Sequence, residues 1–128
     1  MKNRPFRERL GFAIEGIRTG WRRENSFRTQ ARLAGAALVA LLVLRPAPIW
    51  WGLIAATIAM VLALELLNSA IEAVVDLLHP GIHPEVKALK DMIAGAVLLT
   101  SLAALAVGLA MVVDTLPARL GELGWRLR

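Results

Sequence analysis

Apolar positions recur at helical spacing in the first part of the chain. From Phe6 to Trp21 they return every three or four residues, with arginines and glutamates between them. This period predicts an amphipathic helix. Packing on a soluble core would give the same period, but the long apolar stretches that follow favour a helix lying on a membrane surface. We therefore expect residues 1–28 to form a cationic surface helix.

Three longer apolar stretches follow, and the second and third exceed the roughly 20 residues that a membrane-spanning helix needs. Their expected bounds are about 29–45, 49–78 and 87–113, with 114–128 left as a tail. The first stretch is short, so we expect Arg32 and Arg45 to extend toward the two interfaces. The fold class predicted from the pattern is an all-α integral membrane protein with one surface helix and three transmembrane helices.

Prolines mark both predicted turns. Two of them follow Arg45 closely and cannot continue a helix interior. The second turn runs from His79 to Pro84, and Pro84 with Glu85 is typical of a first helical turn, which places His83 near the cap. His79 and His83 are four residues apart, but the breakers between them oppose a shared helical face. A capping or nucleotide-contacting histidine is favoured over a transition-metal ligand.

Composition and charge support the membrane interpretation. Hydrophobic residues make up 57% of the 128 residues and the net charge is +5, whereas soluble domains are about 45–50% apolar. Nine lysines and arginines but only three glutamates precede Leu33. This excess predicts a cytoplasmic amino terminus, and three spans then place the carboxyl terminus on the external side of the cytoplasmic membrane. Anionic headgroups or nucleotide phosphates are favoured as partners over nucleic acid. The absence of cysteine excludes disulfides, thiol catalysis and cysteine-held metals.

Polar residues follow one face of the second predicted span. This face comprises Glu65, Asn68, Ser69, Glu72 and Asp76. One charged side chain at the centre of a span costs about 2.5–3.5 kcal/mol, so several on one face indicate a functional site. With Lys90 and Asp91 they suit magnesium and a polyphosphate. Alternatively, Asn68 and Ser69 form hydrogen bonds between helices. No glycine-rich phosphate loop occurs in the sequence.

The run from Glu65 to Asp76, Glu-Leu-Leu-Asn-Ser-Ala-Ile-Glu-Ala-Val-Val-Asp, closely resembles the prokaryotic diacylglycerol kinase family when taken with Lys90-Asp91. The resemblance covers nearly the whole chain up to about Val113. It implies a homotrimer with three spans per subunit that transfers the γ-phosphate of ATP, held with Mg²⁺, to a lipid hydroxyl.

The resemblance also implies roles for individual residues. Glu65 corresponds to the catalytic base with Asn68 beside it, and Glu24 and Glu72 correspond to the magnesium ligands. Nucleotide contacts are implied for Phe12, Glu24, Glu72, Asp76, His83, Lys90 and Asp91. Lipid contacts are implied for Trp21, Ser26, Phe27, Arg28, Gln30 and Glu65. The chain departs from the family at Gln30, where a glutamate is common, and near Pro5 and Glu8, where phosphate-binding cations are expected.

The family that the chain resembles has two branches, which phosphorylate different lipids. The stretch from His83 to Val97, with Ala-Gly-Ala-Val after Lys-Asp, looks more like the undecaprenol kinase branch than the diacylglycerol kinase branch. Two other classes compete with a kinase. A small proton-coupled transporter would use Glu65 but does not explain the charges near Lys90, and a non-catalytic assembly subunit would use the charges only for packing.

Overall fold

The computed structural model describes residues 2–128, and within them the chain forms four helices. These are α1 (Phe6–Arg23), α2 (Asn25–Leu44), α3 (Pro48–Leu78) and α4 (Pro84–Arg126). Helices α2, α3 and α4 are each long and apolar enough to cross a membrane. The predicted all-helical class and the three candidate spans are therefore confirmed.

A single extended residue separates α1 from α2. Glu24 has φ −112° and ψ 113°, and its backbone N–H donates to the carbonyl oxygen of Gly20 at 2.9 Å. Residues 25–28 consequently belong to the first span helix and not to the surface segment in which the sequence pattern placed them. The Arg28 guanidinium donates to the Trp21 carbonyl oxygen at 3.1 Å. This bond satisfies one of the carbonyls that the end of α1 leaves free.

The two turns between the spans begin and end as the prolines indicate. Arg45 closes α2 in the left-handed region with φ 46°, and Pro48 occupies the first turn of α3. At the other turn His83 is the N-cap of α4, where its Nδ1 accepts a hydrogen bond from the Glu85 backbone N–H at 3.2 Å. The predicted capping position of His83 is therefore confirmed.

Helix α4 continues far beyond the boundary that its apolar run suggested. Residues 114–128 were expected to form a tail, yet α4 runs through most of them with Pro117 inside the helix. Two contacts hold this extension: the Trp50 indole N–H donates to Asp114 Oδ2 at 2.9 Å, and Arg119 donates to carbonyls of the α2–α3 turn. Tertiary hydrogen bonds offset the backbone bond that the proline removes.

Helix α3 contacts each of the other three helices. Its half near the α2–α3 turn packs with α2 and α4 through a small core of Leu41, Ile54 and Met111. Its other half meets the end of α1 at Gly20, where an added Cβ atom would overlap the Leu66 Cδ2 atom. The absence of a side chain at Gly20 thus lets α1 approach the segment of α3 that carries the acidic residues.

Candidate active site

The polar face of α3 becomes more exposed toward the α3–α4 turn. Glu65 is buried, with 4% of its surface exposed. Asn68, Ser69 and Glu72 are half-buried, and Asp76 is exposed. At 1.5 Å rise per residue, Glu65 and Glu72 are separated by about 10 Å along the helix. The polar face of α3 therefore begins with the buried carboxylate of Glu65 and ends with the solvent-exposed carboxylate of Asp76.

Two polar atoms in the middle of this face have unused hydrogen-bonding capacity. Asn68 Oδ1 and Ser69 Oγ are both buried and have no hydrogen-bond partner within residues 2–128. Buried polar groups are nearly always paired in folded proteins. The alternative in which these two atoms join helices within one subunit receives no support from the structure.

Ion pairs connect the water-accessible end of this face to α4. Lys90 Nζ donates to Asp76 Oδ1 at 2.7 Å, which joins two predicted site residues across the α3–α4 pair. Lys87 Nζ donates to Asp91 Oδ2 at 2.6 Å within α4. The sequence predicted a site at Lys90 and Asp91 but gave Lys87 no role, although its spacing of four residues from Asp91 is the ordinary signal for a helical ion pair.

The junction of α1 and α2 supplies another carboxylate. The Glu24 side chain is half-buried and forms no capping hydrogen bond at the start of α2. Phe27 is buried, with 4% of its surface exposed, whereas Phe12, Trp21 and Ser26 are exposed. Of the residues expected to contact lipid, Phe27 is thus covered within the subunit, and Arg28 binds the end of α1.

An apolar cavity of about 500 Å³ lies between α2, α3 and α4. It reaches Val61, one helical turn from Glu65, and extends toward Ile54 and Met111. In the cavity wall the Gln30 Nε2 atom donates to Ser101 Oγ at 3.4 Å. Sequence reasoning missed Ser101, because a lone serine in an apolar helix carries no signal of its partner.

The carboxylate oxygens of the acidic residues at this site are the donor type that Mg²⁺ prefers. Within residues 2–128 no three acidic or histidine side chains come together as a complete protein metal site. Magnesium in phosphoryl-transfer sites takes one or two carboxylates, and waters and substrate phosphates complete its shell. Glu72 and Glu24 are oxygen donors of this type.

These features define a small helical membrane protein with a carboxylate-rich face beside an apolar cavity. The chain belongs to the prokaryotic diacylglycerol kinase family, whose model matches residues 11–112. It is similar to a protein of Bacillus subtilis named undecaprenol kinase, with 38% identity over 76% of this chain and 79% of that protein.

Several other relatives are named diacylglycerol kinase. A diacylglycerol kinase of Escherichia coli is 34% identical over 73% of this chain and 77% of its own length. A diacylglycerol kinase of Synechocystis is 37% identical over 76% of this chain and 56% of its own length. The predicted family is confirmed, and the chain is a membrane lipid kinase.

Proposed function

We propose that the protein transfers the γ-phosphate of magnesium-bound ATP to the hydroxyl group of a membrane lipid alcohol, with undecaprenol as the preferred acceptor. One observation carries the proposal. Buried Glu65 lies one helical turn from Val61 in the wall of the apolar cavity, while the exposed end of the acidic face forms an ion pair with Lys90 of α4. A lipid hydroxyl comes from the hydrocarbon side and a triphosphate comes from water, so the two substrates meet along this face.

Glu65 acts as the base in this proposal. Its carboxylate lies one turn from Val61 in the cavity wall, so a hydrocarbon chain in the cavity brings its hydroxyl end toward Glu65. The lipid oxygen attacks the γ-phosphorus while Glu65 takes the hydroxyl proton. The bond between the γ-phosphorus and the β–γ bridging oxygen breaks, and ADP leaves with that oxygen. Asn68 lies beside Glu65 and orients the acceptor.

Glu72 and Glu24 would hold the magnesium that accompanies the nucleotide, and the metal would supply positive charge to neutralise the phosphate oxygens. Lys90 donates to phosphate oxygens once nucleotide competes with Asp76 for its ammonium group. The Lys90–Asp76 distance of 2.7 Å supports this role, because it fixes the ammonium at the exposed end of the face. Phe12, His83 and Asp91 complete the nucleotide contacts.

The assembly that we propose is a homotrimer, with sites between subunits so that Glu24 of one copy approaches α3 of another. The amino terminus and the α3–α4 turn face the cytoplasm, and α4 ends outside. The apolar residues of α1, such as Phe6 and Leu10, are exposed in the subunit. This exposure supports a position of α1 on the cytoplasmic membrane surface.

Two acceptors remain as candidates. Undecaprenol is favoured by the stretch from His83 to Val97. The relatives named for the two lipids are almost equally similar to the chain, at 38% and 37% identity, so overall similarity does not separate the two acceptors. Diacylglycerol is the alternative and would use the same residues in the same roles.

Labelled ATP separates the candidates. Purified protein is incubated with radiolabelled ATP and magnesium in vesicles holding equal amounts of undecaprenol and diacylglycerol, and the lipids are then separated. We expect label in undecaprenyl phosphate; label mainly in phosphatidate would select the alternative. A preparation that labels neither lipid would refute the proposed function with both acceptors.

Paired variants test the two glutamates. Glu65→Gln keeps the side chain's size and removes the base, so turnover falls by about 10² to 10⁴ while ATP affinity is retained. Glu72→Gln should also weaken magnesium-nucleotide binding. Nucleotide affinity and turnover are measured on both trimers. If Glu65→Gln weakens ATP binding and spares turnover at saturation, the two roles are wrongly assigned.

A further inference from the structure

The Ser69 hydroxyl is buried with no hydrogen-bond partner within residues 2–128, whereas several other helical hydroxyl groups of this chain donate to a backbone carbonyl. Thr19, Thr29 and Thr100 each donate to the backbone carbonyl four residues earlier, at 2.9, 3.1 and 2.9 Å. Ser69 has the corresponding carbonyl of Glu65 within its own helix but makes no such bond, and its Oγ atom is buried without a partner in residues 2–128. The Ser69 hydroxyl group is thus shielded from water and makes no hydrogen bond that stabilises the subunit.

Ser69 lies between Glu65, the proposed base for the lipid, and Glu72, the proposed ligand of the nucleotide's magnesium. Ser69 is four residues after Glu65 and three before Glu72, and both spacings make side chains neighbours on one helical face. Along the axis it lies about 6 Å from Glu65 and about 4.5 Å from Glu72. A phosphoryl group that moves from a nucleotide at Glu72 to an acceptor at Glu65 passes this point.

The Ser69 hydroxyl can donate a hydrogen bond, and this indicates which kind of group it binds. Phosphoryl oxygens are negatively charged acceptors, so they need hydrogen-bond donors. Asn68 Oδ1 is an acceptor and cannot fill this need, whereas Ser69 Oγ carries a proton. A serine also remains neutral, so it adds no charge to a helix that already carries three carboxylates between Glu65 and Asp76.

We propose that Ser69 is a further catalytic residue, whose hydroxyl donates a hydrogen bond to a non-bridging oxygen of the phosphoryl group during transfer. The inference rests on the proposed kinase function. Ser69 keeps its proton throughout and stabilises the charge that is spread over the equatorial oxygens. The unpartnered hydroxyl is a cost to the folded enzyme that the transferring phosphate offsets.

The test compares Ser69→Ala with Ser69→Thr, and Thr100→Ala serves as the control. Thr100 is a half-buried hydroxyl of α4 whose proton is already used by the Ala96 carbonyl. Each trimer is assayed for kcat, for the KM values of MgATP and lipid, for its oligomeric state and for thermal stability in the same detergent.

Ser69→Ala should lower kcat at least about tenfold, the range of one hydrogen bond to a charged group, while both KM values change less than about twofold. Its stability should equal or exceed that of the parent, because the substitution removes a buried hydroxyl without a partner. Ser69→Thr should recover most of the activity, and Thr100→Ala should resemble the parent.

Three results would overturn the inference. They are normal kcat in Ser69→Ala, an equal loss in Thr100→Ala, and a loss of kcat that accompanies a loss of the trimer, since that would make Ser69 a contact between subunits. Failure of the underlying function is recognised separately, because the parent protein would then transfer label to neither lipid.

Discussion

Replacing Arg119 with alanine removes the link between the α4 extension and the turn that joins α2 to α3. Arg119 Nε donates to the Leu44 carbonyl oxygen at 2.7 Å, and Nη2 donates to the Arg45 carbonyl oxygen at 2.6 Å. Both acceptors lie at the end of α2, where carbonyl groups have no partner in the helix itself. We therefore expect Arg119→Ala to loosen this turn and to destabilise the protein.

The size of the effect follows from the contacts. A hydrogen bond with one charged partner contributes about 1.5–3 kcal/mol when buried. The Arg119 side chain is 39% exposed, so water reaches the freed carbonyls and restores part of that energy. The ion pair with Glu122 at 2.9 Å is largely exposed and adds almost nothing. We expect a loss of about 1–3 kcal/mol for the two bonds together.

The assay is equilibrium unfolding in mixed micelles, combined with amide hydrogen exchange of the α2–α3 turn. Arg126→Ala is the matched control, because it removes the same side chain from an exposed position two turns further along α4. Its free energy of unfolding should stay within about 0.5 kcal/mol of the parent. Equal stability and equal exchange in the two variants would show that Arg119 does not hold the turn, and the reasoning would be refuted.

Two further predictions concern the packing of α1 and the membrane topology. Gly20→Leu should displace α1 from Leu66 and reduce phosphorylation, whereas Gly16→Leu, with open space around it, should keep activity; equal activity in the two variants would contradict the close packing. Single cysteines introduced at Ile82 and at Leu120 of this cysteine-free chain should react differently with an impermeant thiol reagent in whole cells, with labelling at 120 only. Labelling at 82 alone would reverse the proposed topology.

The sequence was most informative where local chemistry decides the structure. Proline and glycine between His79 and Pro84 stop one helix and start the next, and these residues act through their own backbones. The polar face from Glu65 to Asp76 was equally readable, because helical periodicity alone places its members together. The Lys90–Asp76 pair then followed from a short connection between two helices.

Sequence reasoning was weaker where partners distant in the chain decide the structure. The break at Glu24 has no proline or glycine next to it, and Arg28 satisfies the helix end from the following helix. The continuation of α4 was missed because Asp114 and Pro117 look like the end of a span. Their stabilising contacts come from Trp50 and the α2–α3 turn, more than 60 residues away.

The length of α2 has a consequence for the bilayers in which the enzyme works. Its 20 residues correspond to about 30 Å, close to the usual hydrocarbon thickness, and it is bounded by Glu24 and Arg45. The 31 residues of α3 and 43 of α4 leave length for tilting. A thicker membrane therefore strains α2 first, at fractions of a kcal/mol per Å. Because α2 starts beside Glu24, acyl chain length becomes a physical variable that acts on the proposed magnesium side of the site.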